Sequence, residues 1–282
     1  MKSLYLAGKT GFIGNLIFNN LKNNLNIIPI FRNKSFQTEI RDLALKNLNP
    51  ILIYAAGNKD IKLCEKNFDI ALEANFQYLK TLAKDLNNPH IIYLSTDYVF
   101  DGMDGSYSFN DSQSPNTNYG KSKVEAEKWL MNDYKGTSTI LRLSTICSDN
   151  SSFIKFLLEE SEQKDSIIEV ADNSFFSPTS IKLLIECLIF LCDEKLTGVY
   201  HLSGPRISRA EFAKTILRLY KKKSLLISSD YKNINEFLRP DLSLINSFLD
   251  MHDYKNKQFF KSLETVFSKG YSIEDFCEKN IL

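Results

Sequence analysis

The stretch SLYLAGKTGFIG, residues 3–14, runs a short apolar segment into Gly8, Gly11 and Gly14 and then into the helix-like FIGNLIFNNLKNN. Glycines spaced this way between a strand and a helix allow a tight turn. They also let a backbone approach a pyrophosphate and let the helix pack closely on the strand. The helix start adds unsatisfied N–H groups and the positive end of its dipole, both suited to phosphate. Gly8, Lys9, Thr10, Gly11, Phe12, Ile13 and Gly14 are therefore the expected cradle of a dinucleotide. An ordinary glycine turn is the alternative.

The alternation continues through the first half. NIIPIF, PILIYAAG, HIIYLST and STILRLST read as strands, and FQTEIRDLALKNL, FDIALEANFQYLKTLAKDL and YGKSKVEAEKWLMND read as the helices between them. Near-continuous apolar strands separated by amphipathic helices predict a parallel sheet covered on both faces. Right-handed crossovers make it doubly wound, an α/β Rossmann architecture. After about residue 148 the rhythm becomes mostly helical, with short strands and irregular pieces. The expected division is a dinucleotide-binding domain over 1–148 and a smaller, mostly helical C-terminal substrate lobe over 149–282, with some segments of that lobe returning to the sheet.

Bulk composition excludes several partners. Thirty-five Lys+Arg against 34 Asp+Glu leave a charge of +1, which provides no field for nucleic acid or an acidic membrane surface. The apolar run LLIECLIFLC contains Glu186 and is too short to span a bilayer. The N-terminus carries no apolar segment of the signal-peptide kind. Five scattered cysteines (64, 147, 187, 192, 277) read as free thiols of a reducing cytoplasm. Three isolated histidines offer no ligand spacing, and no metal is expected.

Two further segments carry chemistry. PIFRNKS, after the second strand, has Arg32 and Lys34 where an NAD enzyme usually holds the ribose hydroxyl with an acid. The two cations either meet a 2′-phosphate, which favours NADPH over NADH, or stand as solvated charges. Ala55, Ala56 and Gly57 end the third strand in small residues, as a backbone running close under a cofactor requires. In SPNTNYGKSKVEAEKWL, Tyr119 and Lys123 lie four apart on a helix and share a face. An ammonium beside a phenol favours the phenolate, so the Tyr119 pKa is expected to fall, tuning it to exchange a proton with a carbonyl or alcohol oxygen. Ser95 and Thr96, ending the strand before, offer hydroxyls to the same oxygen.

With glycine loop, strand-end hydroxyls and the Tyr/Lys pair in this order, the chain resembles the extended short-chain dehydrogenase/reductases. The blocks STDYVFDG, SPNTNYGKSKVEAE, LRLS, FFSPTS, GVYHLSG and LRPDLSLIN look most like the dTDP-4-dehydrorhamnose reductase group. That resemblance implies Tyr119 as general acid, Lys123 on the nicotinamide ribose and Thr96 polarising the substrate carbonyl. It implies Asp97, Tyr98 and Arg239 as substrate contacts, and a homodimer as the assembly. The implied activity is NADPH-dependent reduction of a 4-keto group on a nucleotide-activated deoxysugar. Departures are GFIG where the group has Gln-Leu before the last glycine, Tyr54 in place of an Asn, and NKDIKLCEKN in place of a Val-Asp-Lys-Ala-Glu pattern. Competing readings are an epimerase or dehydratase with tightly held NAD, and a non-catalytic dinucleotide-binding subunit. A GDP-fucose-synthase-like Cys–His pair is not found at matching positions.

Overall fold

The computed structural model describes residues 4–23, 25–32, 49–163, 165–251, 254, 257–268, 272–273 and 275–277. The expected helix FQTEIRDLALKNL and Lys34 lie outside the described residues. The chain forms two compact units with interleaved segments. The first combines residues 1–99, 113–142 and 188–200, and the second combines 100–112, 143–187 and 201–282. The chain thus crosses between the two units several times.

The first unit is built on a six-stranded sheet. In chain order its strands are β1 (Leu4–Ala7), β2 (Ile27–Ile30), β3 (Ile51–Tyr54), β4 (His90–Thr96), β5 (Ser138–Leu143) and β6 (Gly198–Leu202). Across the sheet the order is β6-β5-β4-β3-β1-β2, and β1 pairs parallel with both β2 and β3. The parallel, doubly wound sheet expected from the apolar runs is present. β1, β3 and β4 are buried at every residue, as strands covered on both faces must be. Chain progress reverses direction at β1/β3, the switch point where such sheets open a crevice at the strands' carboxyl ends.

The helices α1 (Phe12–Leu21), α2 (Ile61–Lys66), α3 (Phe68–Leu72), α4 (Tyr78–Asp85), α5 (Asn118–Asn132) and α6 (Ile181–Glu194) have legible causes. Asp60 and Thr117 cap α2 and α5 by accepting the Leu63 and Gly120 N–H groups at 3.0 Å. Asn67 caps α3 in the same way. Leu79, Leu82, Ala126 and Leu130 pack with Leu52 and Ile91 in a buried core. Each large aliphatic side chain contributes about 1.5–3 kcal/mol there.

The long helix expected over 68–86 is interrupted by one π turn, Glu73–Gln77, between α3 and α4. Two tyrosines rising from the sheet use the carbonyls it turns aside. Tyr54 donates its hydroxyl to Ala74 O at 2.7 Å and Tyr93 donates to Asn75 O at 3.1 Å. Tyr54 and Tyr93 are register partners, and their rings stack at 5.8 Å. The residue that departs from the family pattern at position 54 thus pins the π turn.

Among the described residues the second unit holds three two-stranded sheets as well as helices. Leu225–Ser229 pairs parallel with Ile167–Ala171, Ile207–Ser208 pairs antiparallel with Phe175–Phe176, and Ile146–Cys147 pairs parallel with Thr179–Ser180. Phe176, Phe212, Phe248 and Phe259 are buried within it. All five cysteines are buried. No described helix is long and apolar enough to cross a membrane.

Candidate active site

The turn after β1 behaves as its glycines require. Gly8 has φ +94°, and a Cβ on it would lie 2.5 Å from the Ala56 nitrogen. A Cβ on Gly14 would lie 2.1 Å from Gly8 O. The first glycine therefore lets the β1 and β3 ends touch, and the last seats α1 against the turn. Gly11 begins α1 with no side-chain cap and no acidic residue in the first turn, so its leading N–H groups remain for an anion. Gly14→Ala is expected to displace the turn at about 1–3 kcal/mol, weakening dinucleotide binding roughly ten- to hundredfold. Fluorescence titration with NADPH checks this, and an unchanged affinity would mean the close approach is dispensable.

Two cavities, each of about 320 Å³, share Gly11, Ala55, Ala56 and Gly57 and flank the turn. One extends to Gly8, Thr10, Phe31, Arg32 and Tyr78. The other extends to Phe12, Ile13, Asn75, Ser95, Tyr119 and Lys123. Together they form a two-armed cleft over the switch point, with cationic Arg32 in one arm and the Tyr/Lys pair in the other. A dinucleotide fits this cradle, because the close-packed glycines leave backbone rather than side chain along its floor.

Most of the expected residues meet there, and some do not. Lys9 turns its ammonium onto the Phe18 ring, 3.9 Å from the centroid, so what it offers the turn is backbone. Gly14 supports the cleft without lining it. Arg239 belongs to the second unit, where Nη1 donates to the Glu236 and Leu238 carbonyls at 2.8 Å.

Thr96 ends β4, Asp97 and Tyr98 follow it, and Tyr119 lies in the first turn of α5. The Thr96 hydroxyl lies near enough to Tyr119 to pull its pKa down. That hydroxyl donates to Asp97 Oδ1 at 3.0 Å, and the Tyr98 ring stands edge-on to Tyr119 at 6.0 Å. Burial pushes the Tyr119 phenol above its ordinary value; the nearby Thr96 hydroxyl opposes this, while Asp97 and Tyr98 add to it. The expected lowering by Lys123 is absent. Lys123 lies one turn on, 5 % exposed, and gives its ammonium to Leu94 O at 2.8 Å, with the Tyr93 ring 4.6 Å away. Desolvation lowers its pKa to about 8, against a pull upward from Glu127.

Several residues here were not anticipated. Asn75 is fully buried in the π turn, accepts the Asn58 N–H at 2.9 Å and donates to Ser122 Oγ at 2.8 Å, tying the β3 exit to α5. Its position on the apolar stripe with Ala71, Tyr78 and Leu79 was the available signal. Glu127, four residues past Lys123, is fully buried and holds Arg142 at 2.8 Å. It also accepts from Ser95 and Gln113. Ser95 is therefore spent on this ion pair, and Thr96 alone of the two hydroxyls faces Tyr119.

The family model for the RmlD substrate binding domain matches residues 1–264. The chain belongs to this family. The dTDP-4-dehydrorhamnose reductase of Aggregatibacter actinomycetemcomitans is 32% identical over 177 residues, 59% of this chain and 60% of that protein. Methionine adenosyltransferase 2 subunit beta of Danio rerio is 27% identical over 150 residues, 49% of this chain and 46% of that protein. The chain thus spans about half to three-fifths of these curated relatives. Among solved structures, the dTDP-4-dehydrorhamnose reductase of Bacillus anthracis, in complex with NADP, matches with a TM-score of 0.79 at 23% identity. That match covers 95% of this chain and 99% of that one, and it bears on the fold.

Proposed function

We propose that this chain reduces the 4-keto group of a nucleotide-activated deoxysugar with NADPH, in the manner of a dTDP-4-dehydrorhamnose reductase. The observation that carries the proposal is Tyr119, one helical turn from Lys123, with both side chains lining the same cleft as the glycine turn. The named relatives support the same reading.

NADPH held along the turn at Gly8 and Gly11 and against Ala55–Gly57 would supply the hydride that reduces the carbonyl. Tyr119 gives its phenolic proton to the carbonyl oxygen, yielding the alcohol, and regains one from solvent. A phenol held above its ordinary pKa keeps its proton at neutral pH and releases it only to an oxygen turning strongly basic. Thr96 hydrogen-bonds that oxygen, and Lys123 stabilises the transient phenolate with its charge. Asp97, Tyr98 and Arg239 contact the sugar nucleotide in this proposal. A cytoplasmic location and a homodimer complete it.

The charge on Lys123 carries a pH signature. With a pKa near 8, the ammonium predominates below that pH and is lost above it, whereas Tyr119 stays protonated throughout. kcat/KM for reduction is therefore expected to fall as pH rises through about 8. A profile flat to pH 10 would remove Lys123's charge from the mechanism.

The deciding experiment is a panel of dTDP-, GDP-, UDP- and CDP-4-keto-6-deoxysugars assayed for NADPH oxidation, with product stereochemistry read by NMR. The likeness to a methionine adenosyltransferase subunit supports a second reading, a dinucleotide-binding subunit of another enzyme. Cofactor binding with no oxidation across the panel would select it.

A further inference from the structure

We infer that Glu73, on the π turn, sets how strongly the adenosine arm of the cleft discriminates a 2′-phosphorylated ribose from an unphosphorylated one. The inference rests on the proposed reading only in taking the Arg32 arm as the adenosine end of a dinucleotide site. Arg32 is the single charged side chain lining that arm among the described residues. Three contacts hold it. Its guanidinium lies over the Tyr78 ring, 4.2 Å from the centroid, and Nη2 donates to the Glu73 backbone carbonyl at 3.3 Å. The same nitrogen lies 3.7 Å from the Glu73 carboxylate.

These contacts do different things. The aromatic stack and the backbone carbonyl fix where the guanidinium sits, and neither depends on the Glu73 side chain. The carboxylate adds charge. It competes with any second anion for the same guanidinium and repels a phosphate dianion arriving beside it. A ribose bearing a free hydroxyl meets no such opposition. The acid is supplied by a different element from the usual one: no acidic residue follows β2 at the described positions, and this one comes from the helix beyond β3, 41 residues later than Arg32. Sequence spacing alone could not have revealed it.

Both side chains are half or more exposed, at 50% for Arg32 and 63% for Glu73, so solvent screens the pair and the effect is modest. Removing the carboxylate is expected to tighten binding of a 2′-phosphorylated adenosine by about two- to fivefold. The probes are 2′,5′-ADP and 5′-AMP, titrated calorimetrically into the wild-type protein, Glu73→Gln, Arg32→Gln and the double variant at fixed low salt. The expected pattern is tighter 2′,5′-ADP binding in Glu73→Gln with 5′-AMP unchanged. Arg32→Gln should selectively weaken 2′,5′-ADP, and most of the Glu73 gain should vanish in the Arg32→Gln background.

Weaker 2′,5′-ADP binding in Glu73→Gln would overturn the inference by making the carboxylate an orienting partner of Arg32. Equal changes for both ligands, or none, would overturn it as well, as would a wild-type protein that binds neither. Because no turnover is measured, failure of every keto-sugar in the activity panel leaves this result standing, so the two readings fail separately. Circular dichroism of the variants, whose altered side chains are exposed, excludes misfolding as the cause of any change.

Discussion

Tyr119→Phe is expected to lower turnover by about 10²–10⁴-fold, the usual worth of a positioned proton donor. Cofactor binding should be unchanged. The substitution removes one oxygen and its proton while leaving the ring that packs edge-on against Tyr98. Thr96 keeps its bond to Asp97, so the β4 exit has no reason to move. The loss should therefore appear in kcat. Steady-state rates with the active sugar nucleotide, set beside NADPH titrations of the same preparation, separate the two quantities. A variant that binds cofactor and turns over normally would exclude Tyr119 as the acid. One that binds no cofactor would place the phenol in binding instead. Thr96→Val provides the companion test: it keeps the shape, removes the hydroxyl partner, and should lower kcat without abolishing it.

Glu127→Ala is expected to be the most damaging change to stability. The carboxylate is fully buried, and Arg142, 3 % exposed, reaches it through Nη2 at 2.8 Å and through Nε at 3.2 Å to each oxygen. Removing one partner strands a guanidinium beneath the sheet's carboxyl edge, which costs about 3–5 kcal/mol. Ser95 and Gln113 lose their acceptor as well. Urea unfolding followed by circular dichroism measures the effect, and a loss below about 1 kcal/mol would show that water reaches Arg142. Glu127→Ala combined with Arg142→Met should recover much of the loss, because an apolar pair strands no charge. A second readout is independent of stability. Glu127 raises the Lys123 pKa against desolvation, so its removal should move the alkaline limb of the activity profile to lower pH.

The architecture was legible because its signals are local. A four-residue apolar strand followed by three spaced glycines specifies the turn, since only glycine tolerates a Cβ position 2.1 Å from a carbonyl or φ of +94°. The i, i+4 relation of Tyr119 and Lys123 follows from helix geometry alone. Ser95 and Thr96 were both marked by their place at a strand's carboxyl end. Each inference needed only residues near in sequence and one periodicity.

What the linear pattern could not specify was burial and the direction of side chains joined across elements. The pair Tyr119 and Lys123 was legible, but the expected lowering of the phenol pKa was not realised, because Lys123 spends its ammonium on Leu94 O and burial dominates Tyr119. Ser95 and Thr96 looked equivalent in sequence; Glu127 claims the first and leaves the second to the phenol. Tyr54, a plain departure from the family pattern, gains its role only when β3 lies beneath a π turn 20 residues further along the chain. Periodicity determined the sheet, the glycine turn and the face of α5, since these depend on covalent spacing and backbone sterics. Tertiary packing alone decided which charges lose their water, which hydroxyls are spent on neighbours, and that an acid from the helix beyond β3 would stand beside Arg32. Desolvation and contact are properties of three-dimensional neighbours, and those neighbours are far apart in the chain.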